Sequence, residues 1–137
     1  MAALLSQTKL PQSFEKLQSS LQLLVFVDIC GSSTIPTMFV HHVFFWMKPG
    51  SDDISRAALA EGIQQLQSID LPHTFHLGVA ADTDRDVIDR SYDFSLLMIF
   101  NNAADEQEYQ QHPTHLQFIE SCRHLWEKVV VYDSIKI

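Results

Sequence analysis

Tyr109, His112 and His115 place a phenol and two imidazoles inside one short segment, Glu108-Tyr109-Gln110-Gln111-His112-Pro113-Thr114-His115. Imidazole titrates near neutrality, so a positioned histidine can take a proton from a carbon beside a carbonyl. A neighbouring phenol can donate to, or receive a proton from, an enol or phenolic oxygen. The same segment holds a helix break. Pro113 lacks an N–H and disfavours helical geometry for His112 before it. One helix is therefore expected to stop there and a second to start at Pro113, with His112 shaping the junction. The proline also disturbs the spacing that would aim His112 and His115 at one ion. With no Cys pair and no His-Glu-x-x-His run, no metal is expected. No Gly-rich phosphate loop and no serine elbow is present, so no cofactor is expected either.

Composition narrows the partners. The chain has 137 residues, 46% of them hydrophobic and 19% charged, with a formal net charge of −8. That is the size and balance of one globular domain. Only nine Lys and Arg residues occur and they are scattered, which argues against nucleic acid and against an anionic membrane surface. Cys30 and Cys122 lie far apart without a ligand spacing, so a reducing, cytoplasmic setting is expected.

Residues 1–37 read as an extension to a domain over residues 38–137. Pro11 to Ser20 has the pattern of a short amphipathic helix. Leu21 to Ile29 is an apolar run, and Gly31 to Thr37 reads as a linker. The run is too short to span a bilayer. Asp28 inside it and Glu15 upstream fit an export signal poorly. Either the run packs as an ordered extension, or Met38, directly before a strand, is the start.

Phe39 to Lys48 has the aromatic and β-branched content of a strand. A helix is expected from Ser51 or Asp52 to about Ile69, with Ile54, Ala58, Ile63 and Leu66 repeating at helical spacing. His73–Ala81 and Tyr92–Phe100 read as strands, separated by a charged loop. Ala103–Gln111 reads as a short helix, Pro113 to about Glu127 as a second, and Val129–Ile135 as the last strand. The order β-α-β-β-α-β is that of a ferredoxin-like α+β protomer, a four-stranded antiparallel sheet with helices on one face. Its uncovered face would carry His42, Phe44, Trp46, Leu97, Ile99, Val130 and Tyr132. An apolar patch of that kind calls for a partner, most simply a second copy in a two-fold homodimer.

From Met38 onward the chain resembles the stress-responsive A/B barrel (Dabb) domain, a dimeric α+β barrel. The matching pieces are His41-His42-Val43-Phe44-Phe45-Trp46-Met47-Lys48-Pro49-Gly50, Tyr92-Asp93, Tyr109-Gln110-Gln111-His112-Pro113-Thr114-His115, and Trp126 through Asp133. The resemblance implies that two such protomers build the barrel, and that most bacterial members have no established activity. Some plant members with the same motif are polyketide cyclases that use neither metal nor cofactor. By that resemblance Tyr109 and His115 do acid–base work, while His41 and Asp133 support the pocket. Phe94 departs from the cyclases, which can carry a polar residue there.

The residues agree with that placement. His41 shares a strand face with Val43 and Phe45, and Asp133 shares one with Val129 and Val131. A His115–Asp133 hydrogen bond is expected to fix the imidazole. Val43, Phe45, Phe94, Leu96, Met98, Trp126, Val129 and Val131 are the expected pocket walls, suited to a small apolar or aromatic ligand. Plain structural roles stand beside each reading: His115 and Asp133 as a core pair, Tyr109 as a cover for the core edge, His41 as a packed strand residue. Three functions follow: a small-molecule-binding barrel with no established activity, a cofactor-free cyclase or isomerase, or a cofactor-independent monooxygenase.

Overall fold

The computed structural model describes residues 37–137. The expected short helix, apolar run and linker over residues 1–36 lie outside the described residues. The elements are β1 (Phe39–Met47), α1 (Asp53–Gln65, continued by a 3-10 turn at Leu66–Ser68), β2 (Thr74–Gly78), β3 (Phe94–Phe100), α2 (Ala103–Gln111), α3 (Pro113–Cys122, continued by a 3-10 turn at Arg123–Leu125) and β4 (Trp126–Ile135). The sheet runs β2-β3-β1-β4 with every pair antiparallel. This is the ferredoxin-like arrangement expected from the element order.

Strand alternation decides the two faces. In β1, His41, Val43, Phe45 and Met47 are buried while the residues between them are half-buried. In β3, Phe94, Leu96, Met98 and Phe100 are buried on the same side. Leu59, Ile63 and Leu66 of α1 and Phe118 and Cys122 of α3 close that side into one core. The opposite face carries an aromatic cluster, with Phe44 edge-on to Tyr92 at 4.9 Å and to Tyr132 at 5.9 Å between ring centroids. His42 stacks near Phe44 at 4.2 Å, and Lys128 sits 4.2 Å over the Trp46 ring. Tyr132 remains 64% exposed.

Several boundaries differ from the sequence expectation, each for a physical reason. The buried stripe of α1 is Leu59, Ile63 and Leu66, spaced i, i+4, i+7; Ala58 is exposed and so is Ile54, in the first turn. The short β2 is an edge strand that pairs with β3 alone. Asp93 lies outside β3 because its groups are committed elsewhere. One carboxylate oxygen accepts the Met47 N–H at 2.8 Å and the other accepts from Arg56 Nη1 at 2.7 Å. α3 ends at Cys122, so Trp126 and Glu127 belong to β4, where Trp126 pairs with Met47.

Asp93 therefore pins the end of β1 to α1. Partial burial raises its pKa, but the Met47 N–H and the Arg56 guanidinium outweigh this and hold it below the ordinary carboxylate value. A lowered folded-state pKa contributes stability above the unfolded value and loses it as pH falls through the folded one. Asp93→Asn is expected to cost about 1 to 2 kcal/mol, discounted for the exposure of the pair. Denaturant unfolding at neutral pH and near pH 3 should show that deficit shrinking in acid.

Candidate functional site

The site is built at the α2–α3 corner. Asn102 caps α2, its side-chain oxygen accepting the N–H groups of Ala104 at 2.8 Å and Asp105 at 3.0 Å. At the other end His112 takes an extended conformation (φ −63°, ψ 135°) before Pro113. His112 is both the last cap of α2 and the first cap of α3: its N–H donates to the Tyr109 carbonyl at 3.0 Å, and its Nδ1 accepts the Thr114 N–H at 3.2 Å. An accepting Nδ1 is unprotonated, so His112 serves the junction, as expected from the proline.

The corner folds Tyr109 against His115, ring centroids 4.7 Å apart. Tyr109 is 1% exposed and also packs on Phe100 at 5.4 Å and near His41 at 6.2 Å. Burial, reinforced by the Glu106 carboxylate, pushes its phenol well above the ordinary value, so it stands as a neutral O–H. His115 Nδ1 lies 3.1 Å from the Gln110 carbonyl oxygen. A carbonyl can only accept, so Nδ1 carries the proton and Nε2 keeps its lone pair. Burial lowers the His115 pKa and so favours this neutral form, outweighing the Gln110 carbonyl, which raises it.

The expected His115–Asp133 bond is not the one formed. β1 pairs with β4 so that His41 lies opposite Asp133, and His41 Nδ1 meets Asp133 Oδ1 at 2.7 Å. Asp133 thus fixes the first-strand imidazole, while the backbone fixes His115. A carboxylate absent from the sequence expectation also enters. Glu106 is buried, lies 3.9 Å from His41 Nδ1 and accepts from Gln110 Nε2 at 2.7 Å. Its signal was helical spacing: Glu106, Tyr109 and Gln110 stand at i, i+3 and i+4 on one face of α2.

A cavity of about 290 Å³ opens between β1, β4 and α3, lined by His41, Tyr109 and His115 and by Val43, Phe45, Leu96, Trp126, Val129 and Val131 among the expected walls. Leu66, Gln110, Phe118, Ile119 and Arg123 complete the lining. Phe94 and Met98 are not walls. Phe94 lies under Arg56, whose guanidinium carbon is 4.9 Å from its ring centroid, and Met98 is fully enclosed in the core. The pocket sits mainly over β1 and β4, and of β3 only Leu96 reaches it. Among the described residues no group of three or more His, Cys, Asp or Glu side chains is placed to hold a metal ion. No helix among them is long and apolar enough to cross a membrane.

Known proteins share this architecture. A Dabb family protein with a ferredoxin-like fold from Mesorhizobium loti is 22% identical, with 74% of this chain and 98% of that chain covered and a TM-score of 0.60. A hydroxynitrile lyase from Passiflora edulis is 22% identical over 74% of this chain and 95% of its own, with a TM-score of 0.62. A dimeric protein of unknown function from Bacteroides fragilis is 15% identical over 72% and 96%, with a TM-score of 0.59. No curated protein matches the chain. The model of the stress responsive A/B barrel domain matches residues 39–136, taking in every strand, the proline corner and the pocket. On that match, the chain belongs to the stress responsive A/B barrel domain family.

Proposed function

We propose that this protein is a homodimeric barrel that binds a small apolar or aromatic carbonyl compound in the cavity between its sheet and helices. The observation that carries the reading is the pairing of one apolar cavity of about 290 Å³ with Tyr109, His115 and His41 at a single end. That volume lies at the small end of ligand sites, which run from roughly 300 Å³ upward. The dimer rests on the aromatic open face and on dimeric proteins of the same fold, such as the one from Bacteroides fragilis. A reducing cytoplasm suits the buried free thiol of Cys122.

A second reading, cofactor-free acid–base catalysis of the cyclase or isomerase kind, is favoured by the His115 tautomer. Its Nε2 lone pair can remove a proton beside a carbonyl while the neutral Tyr109 O–H donates to the developing enolate oxygen. His41, held by Asp133, orients the carbonyl. The hydroxynitrile lyase from Passiflora edulis shows that this fold can carry chemistry.

Titrating aromatic ketones into the wild type and into His115→Ala separates the two readings. Binding retained by the variant, with no turnover in either protein, marks a binding module. Turnover in the wild type that falls by roughly 10²-fold or more in the variant marks the enzyme. In that case the rate should hold at neutral pH and drop in acid, as His115 takes up a proton below its lowered pKa. Absence of binding to both proteins would overturn both.

A further inference from the structure

The following rests on the ligand-binding reading of the pocket and adds the class of ligand it selects. His115 and Ile119 of α3 and Arg123, the first residue of the 3-10 turn that continues it, stand at i, i+4 and i+8, and all three line the cavity, so they form one stripe. At 1.5 Å per residue the two ends of that stripe lie roughly 12 Å apart. One end holds the acid–base groups, and there two carboxylates converge on one nitrogen. Asp133 Oδ1 lies 2.7 Å and Glu106 Oε1 3.9 Å from His41 Nδ1. The other end holds the Arg123 guanidinium, with its fork of N–H donors. Among the described residues Arg56 and Arg90 are each paired with an aspartate, while no ion pair includes Arg123. Between the ends the walls are apolar: Val43, Phe45, Phe118, Ile119 and Trp126.

We propose that the pocket is polarised end to end and selects a compound with a neutral carbonyl or hydroxyl head, an aromatic or apolar body and a carboxylate tail. The head seats between Tyr109, His115 and His41, and Arg123 holds the tail. Glu106, with Asp133, turns an anion away from the head position. An anionic head would sit against His41, whose Nδ1 already faces the buried Glu106 carboxylate and the more exposed Asp133 carboxylate, whereas an anionic tail gains a charge-assisted hydrogen bond to a guanidinium.

Three rigid naphthalenes test this on the full chain. 6-Acetyl-2-naphthoate has head, body and tail, 2-acetylnaphthalene lacks the tail, and 2,6-naphthalenedicarboxylate carries an anion at the head as well. The acetyl acid is expected to bind about tenfold tighter than 2-acetylnaphthalene, an advantage of one charge-assisted contact. Added salt should erode that advantage, and Arg123→Gln should remove it while Arg123→Lys keeps part. The dicarboxylate should bind at least about tenfold more weakly than the acetyl acid, and Glu106→Gln should narrow the gap. If Glu106→Gln does not fold, the dicarboxylate comparison in the wild type decides that part. Equal affinity for the acetyl acid and the ketone, or an advantage that survives Arg123→Gln, overturns the proposal while leaving the pocket as a ligand site. Binding of none of the three overturns the pocket reading with it.

Discussion

Tyr109→Ala is expected to lower stability by about 3 to 5 kcal/mol, whereas Tyr109→Phe should cost far less. The ring is one of the largest fully enclosed side chains of the described residues, wedged among Phe100, His115 and His41. Truncation leaves a cavity under the α2–α3 corner, and dense packing around it permits only partial collapse. Removal of the hydroxyl alone keeps every ring contact. The two variants therefore separate packing from chemistry. Thermal melts should place Tyr109→Phe near the wild type and Tyr109→Ala many degrees below it. If the site is catalytic, Tyr109→Phe should still lose most of its turnover because the proton donor is gone. A folded Tyr109→Phe with full turnover would remove the phenol from the mechanism, and a Tyr109→Ala variant as stable as the wild type would contradict the packing described.

If the proposed dimer forms through the open face, Trp46→Glu is expected to convert it into monomer, or into protein that precipitates. Trp46 stands on the open face, with its Nε1 donating to Ser91 Oγ at 3.1 Å and Lys128 above its ring. Within one protomer a carboxylate there keeps Lys128 as a neighbour and disturbs little. In a sheet-to-sheet dimer it would be buried against aromatic rings, and an uncompensated charge at such a place costs several kcal/mol. Light scattering on the eluted peak measures the outcome directly. A dimer of unchanged affinity would place the interface on another surface. His42 joins the same face, and burial first, then His76 and His41, lower its pKa.

The sheet and the proline corner were legible because their causes are local. Alternation in β1 separates His41, Val43 and Phe45 from His42, Phe44 and Trp46 without knowledge of any partner strand. Pro113 dictates a break from its own covalent structure. The partner of Asp133 was not legible in this way, because it depends on the β1–β4 register. Reading Trp126 and Glu127 as helix shortened β4 and hid how early its pairing with Met47 begins. Once that register is known, His41 faces Asp133 and the bond to His115 is not formed. Glu106 was missed because an acid in the first turn of a helix ordinarily serves the helix dipole at the surface. Here that turn packs against the sheet, so the carboxylate is enclosed beside His41. Phe94 and Met98 share the correct face with Leu96, but Arg56 covers the one and the core encloses the other, and a face pattern does not show which of its residues the helices leave open.

The single-residue hinge at His112 has a consequence for how such a scaffold changes. One residue finishes α2 and begins α3, so Tyr109 and His115 are spaced by covalent geometry and not by a loop of adjustable length. Adding one extended residue there would lengthen the junction by roughly 3.3 Å and take the imidazole away from the phenol. Exchanges at Ile119, Val129 or Val131 alter only the shape of the chamber. On the proposed reading, ligand preference can thus drift through the walls across descendants while Tyr109 and His115 stay locked in phase.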